Sequence, residues 1–137
     1  MRLDRSRGFT LIELLVAIAV VAILLSVAVA GYGFAAAKAR RAAAKGCLTE
    51  AAQSLERYYT LHFTYVGAGL PACSADVTAY YTVAFASGEP TASTFRVQAV
   101  PQGPQASADG TCGTLSLDNT GVRGAGDGSA ATIDTCW

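Results

Sequence analysis

Arg7-Gly8-Phe9-Thr10-Leu11-Ile12-Glu13 opens the apolar third of this 137-residue chain, and its reading decides the rest. A short, mostly basic leader, Arg2, Arg5 and Arg7 against Asp4, ends at Gly8. From Phe9 to Phe34 nearly every residue is apolar, and one carboxylate, Glu13, sits a single helical turn inside the run. A charge within a membrane segment costs about 2.5–3.5 kcal/mol on insertion scales, so Glu13 needs a partner or a role. Between Glu13 and Lys38 about two dozen residues carry no charge, enough to cross a bilayer core of ~30 Å. Taken alone, the run is compatible with a plain single-pass anchor.

The unbroken stretch Gly8-Phe9-Thr10-Leu11-Ile12-Glu13-Leu14-Leu15 resembles the N-terminus of type IV pilins and the related pseudopilins. Their pattern is a charged leader ending in glycine, then Phe-Thr-Leu-Ile-Glu-Leu and an apolar helix. The resemblance implies that residues 1–8 are a prepilin leader. It also implies that a membrane-embedded prepilin peptidase cuts between Gly8 and Phe9 and methylates the new Phe9 amine. The charges give this a physical logic. Cleavage leaves a cationic amine four residues from Glu13. Positions i and i+4 share a face within one helix, and between staggered helices the carboxylate of one can meet the amine of the next. Only the second pairing fixes register between subunits, so Glu13 is expected to set the stagger of packed helices. The plain alternative is an acid snorkelling to headgroups.

The leader is too short for a secretory signal, and the apolar run follows the proposed cut instead of preceding it. Formal charge is balanced over the whole chain and mildly acidic once the leader is removed, so bulk charge does not point to nucleic acid. Lys38, Arg40, Arg41 and Lys45 form a second basic cluster beyond the apolar run, which leaves positive-inside counting ambivalent. The cysteines decide the orientation: Cys47, Cys73, Cys112 and Cys136 all follow the run, an even number in a small domain, as expected in an oxidising compartment.

From Ala35 to about Thr60 the sequence is alanine-rich and free of proline. Leu48, Ala52, Leu55, Tyr59 and His62 recur at spacings of three and four, with Arg41, Lys45, Gln53, Glu56 and Arg57 on other faces. One helix is expected from Phe9 to about Thr60, apolar all round in its first half and amphipathic in its second. Gly31 and Gly33 make a weak point, read either as a kink or as a place of close helix approach. His62, the sole histidine, has no metal or nucleophile partner in the pattern and reads as structural or exposed.

Strand signals follow. Tyr81, Val83 and Phe85 alternate with smaller residues, Ser87 to Pro90 form a turn, and Phe95, Val97 and Ala99 alternate with Arg96 and Gln98. Pro101 to Gly110 reads as a polar loop. Leu115 and Leu117 mark a third strand and Val122-Arg123 a short fourth, with Gly124 to Ser129 too glycine-rich for regular structure. The stretches Glu56 to Thr60 with Phe63 to Tyr65, and Phe95 to Pro101 with Cys112 to Asp118, are similar to the PilE-type minor pilins. The resemblance implies an α+β pilin fold, a long helix on an antiparallel sheet of about four strands, with a cysteine-bounded C-terminal region.

Four cysteines allow three connectivities. Cys47–Cys73, tying the helix to the loop after it, and Cys112–Cys136, closing the glycine-rich tail, are preferred; a loop of that size gains roughly 3–4 kcal/mol by chain entropy. Asp109, Asp118, Asp127 and Asp134 read as solvated turn acids. Some pseudopilins bind calcium in a C-terminal acidic loop, but Asp127 and Asp134 lack EF-hand spacing, and no metal or cofactor is expected. No catalytic grouping is present in the pattern, so an enzyme is not expected. Lys38 to Lys45 suit acidic surfaces of neighbouring subunits, lipid headgroups or, more weakly, DNA.

The resemblance implies a prepilin with a leader over 1–8, a transmembrane and filament-core helix over 9–34, and a periplasmic or extracellular head over 35–137. Its expected role is structural: a minor subunit of a type IV pilus, serving assembly and through it motility, adhesion or DNA uptake. Its partners would be other pilin subunits, the prepilin peptidase and the inner-membrane assembly machinery. A pseudopilin of type II secretion is the alternative, and an anchored ectodomain the distant one.

Overall fold

The computed structural model describes residues 8–137. Most of the expected leader, residues 1–7, lies outside the described residues. The elements are α1 (Leu11–His62), α2 (Ala75–Thr78), β1 (Tyr81–Phe85), β2 (Arg96–Pro101), α3 (Pro104–Ala108), β3 (Leu115–Asp118), β4 (Arg123–Gly124) and α4 (Ala130–Cys136). The chain divides into two compact units, one ending at Ala35 and one from Ala36 to Trp137.

In the first unit α1 is apolar on every side, and its described side chains from Leu11 to Ala35 are all exposed. Such a helix suits lipid or other helices, not water. The helix begins two residues later than expected because Thr10 takes the capping position. Its Oγ1 accepts from the Glu13 N–H at 3.3 Å, which satisfies one of the donors left open at a helix start. The helix runs unbroken through Gly31 and Gly33, where an added Cβ would meet nothing among the described residues within 4 Å.

In the second unit the rest of α1 lies on a four-stranded antiparallel sheet of order β1-β2-β3-β4. Pairing sets Val97 opposite Leu117 and Ala99 opposite Leu115, all buried on the helix-facing side. Ala37, Ala44, Leu48, Ala51 and Leu55 form the buried stripe of α1, and Leu48 and Leu55 belong to one core cluster with Tyr81, Phe95 and Val97. Tyr59 is only half-buried and His62 is exposed, so the stripe ends sooner than its spacing suggested. Phe63 closes α1 in the left-handed region, φ 54°, its N–H donating to the Tyr59 carbonyl at 2.7 Å.

Two disulfides fasten this unit, Cys47–Cys73 between α1 and the following loop and Cys112–Cys136 between the β3 approach and α4. The segment Pro101–Gly110 is not all loop. Pro104 begins the short helix α3, where its fixed φ suits the first helical position. The glycine-rich tail also ends in structure: Ser129 caps α4 by accepting from the Thr132 N–H at 3.2 Å. Gly126 allows the tail to press onto the turn before β3. With φ +50°, a Cβ at this position would collide with the Thr111 carbonyl oxygen. The fourth strand is Arg123–Gly124, one residue later than expected.

The largest departure lies at Arg41 and Asp109. Arg41 is only 9 % exposed and forms an ion pair with Asp109 of the α3 end; it does not sit on the polar face. Asp109, expected as a solvated acid, is buried. Arg41 is in phase with Ala37, Ala44 and Leu48, so helical periodicity turns it inward. Gln105 completes the group, its Nε2 donating to the Ala37 carbonyl and the Tyr81 hydroxyl at 3.0 Å and to Asp109 at 3.2 Å. Arg41→Ala would leave a buried carboxylate without its cation, a change that costs about 3–5 kcal/mol. Thermal melts of the full chain in detergent should show a midpoint lowered by several degrees, with most of it regained in the Arg41→Met/Asp109→Leu pair. An unshifted Arg41→Ala melt would show that the carboxylate does not depend on this partner.

Candidate functional site

The N-terminal end presents Gly8, Phe9 and Glu13 on the exposed start of the first unit. Gly8 and Phe9 precede α1, and Phe9 is 78 % exposed. Glu13 occupies the first turn, where a carboxylate complements the helix dipole by about 0.3–1 kcal/mol. Thr10-Leu11-Ile12-Glu13 has the form of a capping box. That local arrangement gives Glu13 a role within its own helix in addition to any role between helices.

The head carries a second region, built around the basic cluster. The structure does not gather the four cations of that cluster on one surface. Arg41 is committed to Asp109. Arg40 is turned to the ring of Tyr80, with its Cζ 3.8 Å from the centroid. Lys38 and Lys45, seven residues apart, share one face of α1. Lys45 Nζ donates to the main-chain oxygen of Trp137 at 3.0 Å.

That bond ties the tail to the helix and brings a further cation into the group. Arg123 of β4 lies over the Trp137 ring, its Cζ 5.2 Å from the centroid, and the indole Nε1 donates to the Gly124 carbonyl at 2.9 Å. Lys45 records the local field. Its amine is held below the usual 10.5, first by burial and then by the positive charges of Arg41, Arg123 and Lys38, with Asp109 opposing. Lys38, Lys45 and Arg123 therefore make a basic patch edged by an indole. Phosphate contacts together with an aromatic face are the elements of a nucleic-acid surface.

Reading the sequence missed Arg123 and Trp137, because neither stands near the basic run in the chain. Their one legible signal is position: Trp137 follows Cys136, so any bridge from that cysteine fixes where the indole goes. Asp134, Ala130 and Ile133 of α4 form a cleft of about 360 Å³ with Arg123 and Trp137. Among the described residues no group of three or more His, Cys, Asp or Glu could hold a metal ion, and Asp127 and Asp134 do not form one. His62 stacks on Tyr58 with ring centroids 4.0 Å apart.

Two family models match the chain. One, described as type IV minor pilin ComP, DNA uptake sequence receptor, covers residues 31–116. The other, the prokaryotic N-terminal methylation motif, covers residues 3–29. Among solved structures, the chain is similar to the non-core minor pilin PilV of Neisseria meningitidis. The identity is 24 % and the TM-score 0.52, over 69 % of this chain and 89 % of that one. That likeness carries the fold: a long N-terminal helix and a four-stranded antiparallel sheet. No functionally curated protein matches the sequence.

The field at Lys45 gives a titration test. A lysine whose amine is depressed in the folded state binds fewer protons there than when unfolded. Its contribution to stability therefore rises with pH in the window just below 10.5. Arg123→Ala removes one of the repelling charges, so the Lys45 amine should move back up toward 10.5. NMR titration of the Lys45 side chain would read the shift, and an unmoved Lys45 would mean that the two cations do not share a field.

Proposed function

The chain belongs to the type IV minor pilin ComP family, and from that premise we propose that it holds double-stranded DNA on the Lys38, Lys45 and Arg123 face of its head. The observation that carries this reading is the meeting of Lys45 and Arg123 at Trp137, with Lys38 two turns away on the same face of α1. Lys38 and Lys45 fall within the span matched by a family described as a DNA uptake sequence receptor. With overall charge near balance, affinity rests on this local patch and not on a field of the whole protein. Such contacts release counterions, so binding should weaken steeply with salt.

The remaining roles belong to the same proposal. The leader ending at Gly8 is cut, Phe9 becomes the methylated N-terminus, and Glu13 meets the Phe9 amine of a neighbouring subunit. The helix over 9–34 anchors the protein in the inner membrane, with the head in the periplasm. Other pilin subunits and the assembly machinery then take it into a pilus, where the same apolar surface becomes filament core. The head works by binding and carries out no chemistry. The methylation-motif match over residues 3–29 and the exposed apolar face of α1 support this part.

Two measurements test the proposal. For the full chain in detergent, Lys45→Glu/Arg123→Glu should weaken duplex DNA binding more than tenfold and lower the salt slope by about two. Equal affinities for parent and variant would remove DNA from this face. In cells, Glu13→Ala should still reach the membrane but fail to appear in sheared pili. Normal incorporation would leave Glu13 with only its place beside the dipole of its own helix.

A further inference from the structure

The cleft between β4 and α4 has a composition that phosphate binding does not explain. Of its lining residues, Arg123 and Trp137 belong to the basic patch, Ala130 and Ile133 are apolar, and Asp134 is an exposed acid. A carboxylate repels a phosphate backbone, and when ionised it can only accept hydrogen bonds. Its place beside Arg123 therefore suits a ligand that presents donors and acceptors together. The cleft is also concave. A concavity cannot enter the groove of a duplex; it must receive a group that protrudes. At about 360 Å³ it falls in the range of small-molecule sites.

Resting on the DNA reading above, we propose that this cleft receives a single unpaired guanine base, which takes the place of the Arg123 guanidinium over the Trp137 ring and is read at its edges by Arg123 and Asp134. Stacking on an indole is open to every base, so selectivity has to come from the two charged side chains. Guanine carries the O6 and N7 acceptors that suit an arginine fork, and an exocyclic N2 amino group that a carboxylate can accept from. Thymine has no exocyclic amino group. The indole is held for this task. Its Nε1 is engaged by the Gly124 carbonyl, its main-chain oxygen by Lys45, and Cys136 beside it is bridged to Cys112. The base has to leave a stack to reach the cleft, and that cost is least where it is already unpaired. The site therefore selects an extrahelical or overhanging guanine at the edge of a duplex that Lys38 and Lys45 hold.

Trp137 is the sole tryptophan of the chain, so its fluorescence reports on the cleft directly. The full chain in detergent would be titrated with three DNA hairpins: one with an extrahelical guanine, one with an extrahelical thymine and one fully paired. The guanine hairpin should quench Trp137 and bind about tenfold more tightly than the thymine hairpin. Asp134→Ala should abolish that preference and tighten binding of the fully paired hairpin, because a repelling charge is gone. Asp134→Asn keeps one acceptor oxygen while losing the charge, so it should retain part of the preference, which separates the acceptor from the charge. Equal binding of all three hairpins without quenching would overturn the guanine site and leave the duplex reading standing. No binding of any hairpin would overturn both.

Discussion

The head depends on one buried ion pair. Arg41 projects from the inner stripe of α1 and meets Asp109 at the end of α3, with Gln105 and Tyr81 completing the group. Taking these charges out of water is expensive, and the pair is tolerable only because further hydrogen bonds share the load. Two polar atoms, Arg41 Nε and Gln105 Oε1, have no partner among the described residues and mark where the arrangement is least comfortable. In exchange the group specifies position. An apolar contact could slide along the helix, whereas Gln105 addresses the Ala37 carbonyl and Arg41 addresses a single carboxylate. The short helix α3 has little packing of its own, and these bonds fix it against α1.

The basic patch follows from that choice. With Arg41 turned inward, Lys38 and Lys45 flank it on the helix surface, and the tail returns to Lys45. Ser129 starts α4, Gly126 permits close approach to Thr111, and Cys112–Cys136 holds the end of the chain. The Trp137 oxygen then meets Lys45. The surface that the proposed function uses is therefore assembled from a helix near the start of the head and residues at its end.

How much of this the sequence discloses depends on the range of the interaction. Local and periodic features are legible. Glu13 within an apolar run, and the alternation of Phe95, Val97 and Ala99 with polar neighbours, suffice for a long helix on an antiparallel sheet. Arg41 shows where a residue-type rule fails: charge suggests the surface, but its phase with Ala37, Ala44 and Leu48 decides otherwise. Helices α3 and α4 are too short to show a period, and their caps, Pro104 and Ser129, resemble ordinary turn residues. Arg123 and Trp137 join Lys45 only through chain closure, which no local pattern encodes.

The Cys47–Cys73 bridge has a mechanical consequence. A pull applied along the N-terminal part of α1 and resisted at the head must travel through the chain. At Cys47 that tension meets a covalent branch directly to Cys73. The segment from Leu48 to Ala72, including the last turns of α1 and the exposed Phe63 corner, is bypassed by the load. Hydrogen bonds in this segment are therefore shielded from stretching, and force passes from the middle of the helix into the approach to β1. A pilin built this way can bear tension through its anchor while the end of its helix stays folded.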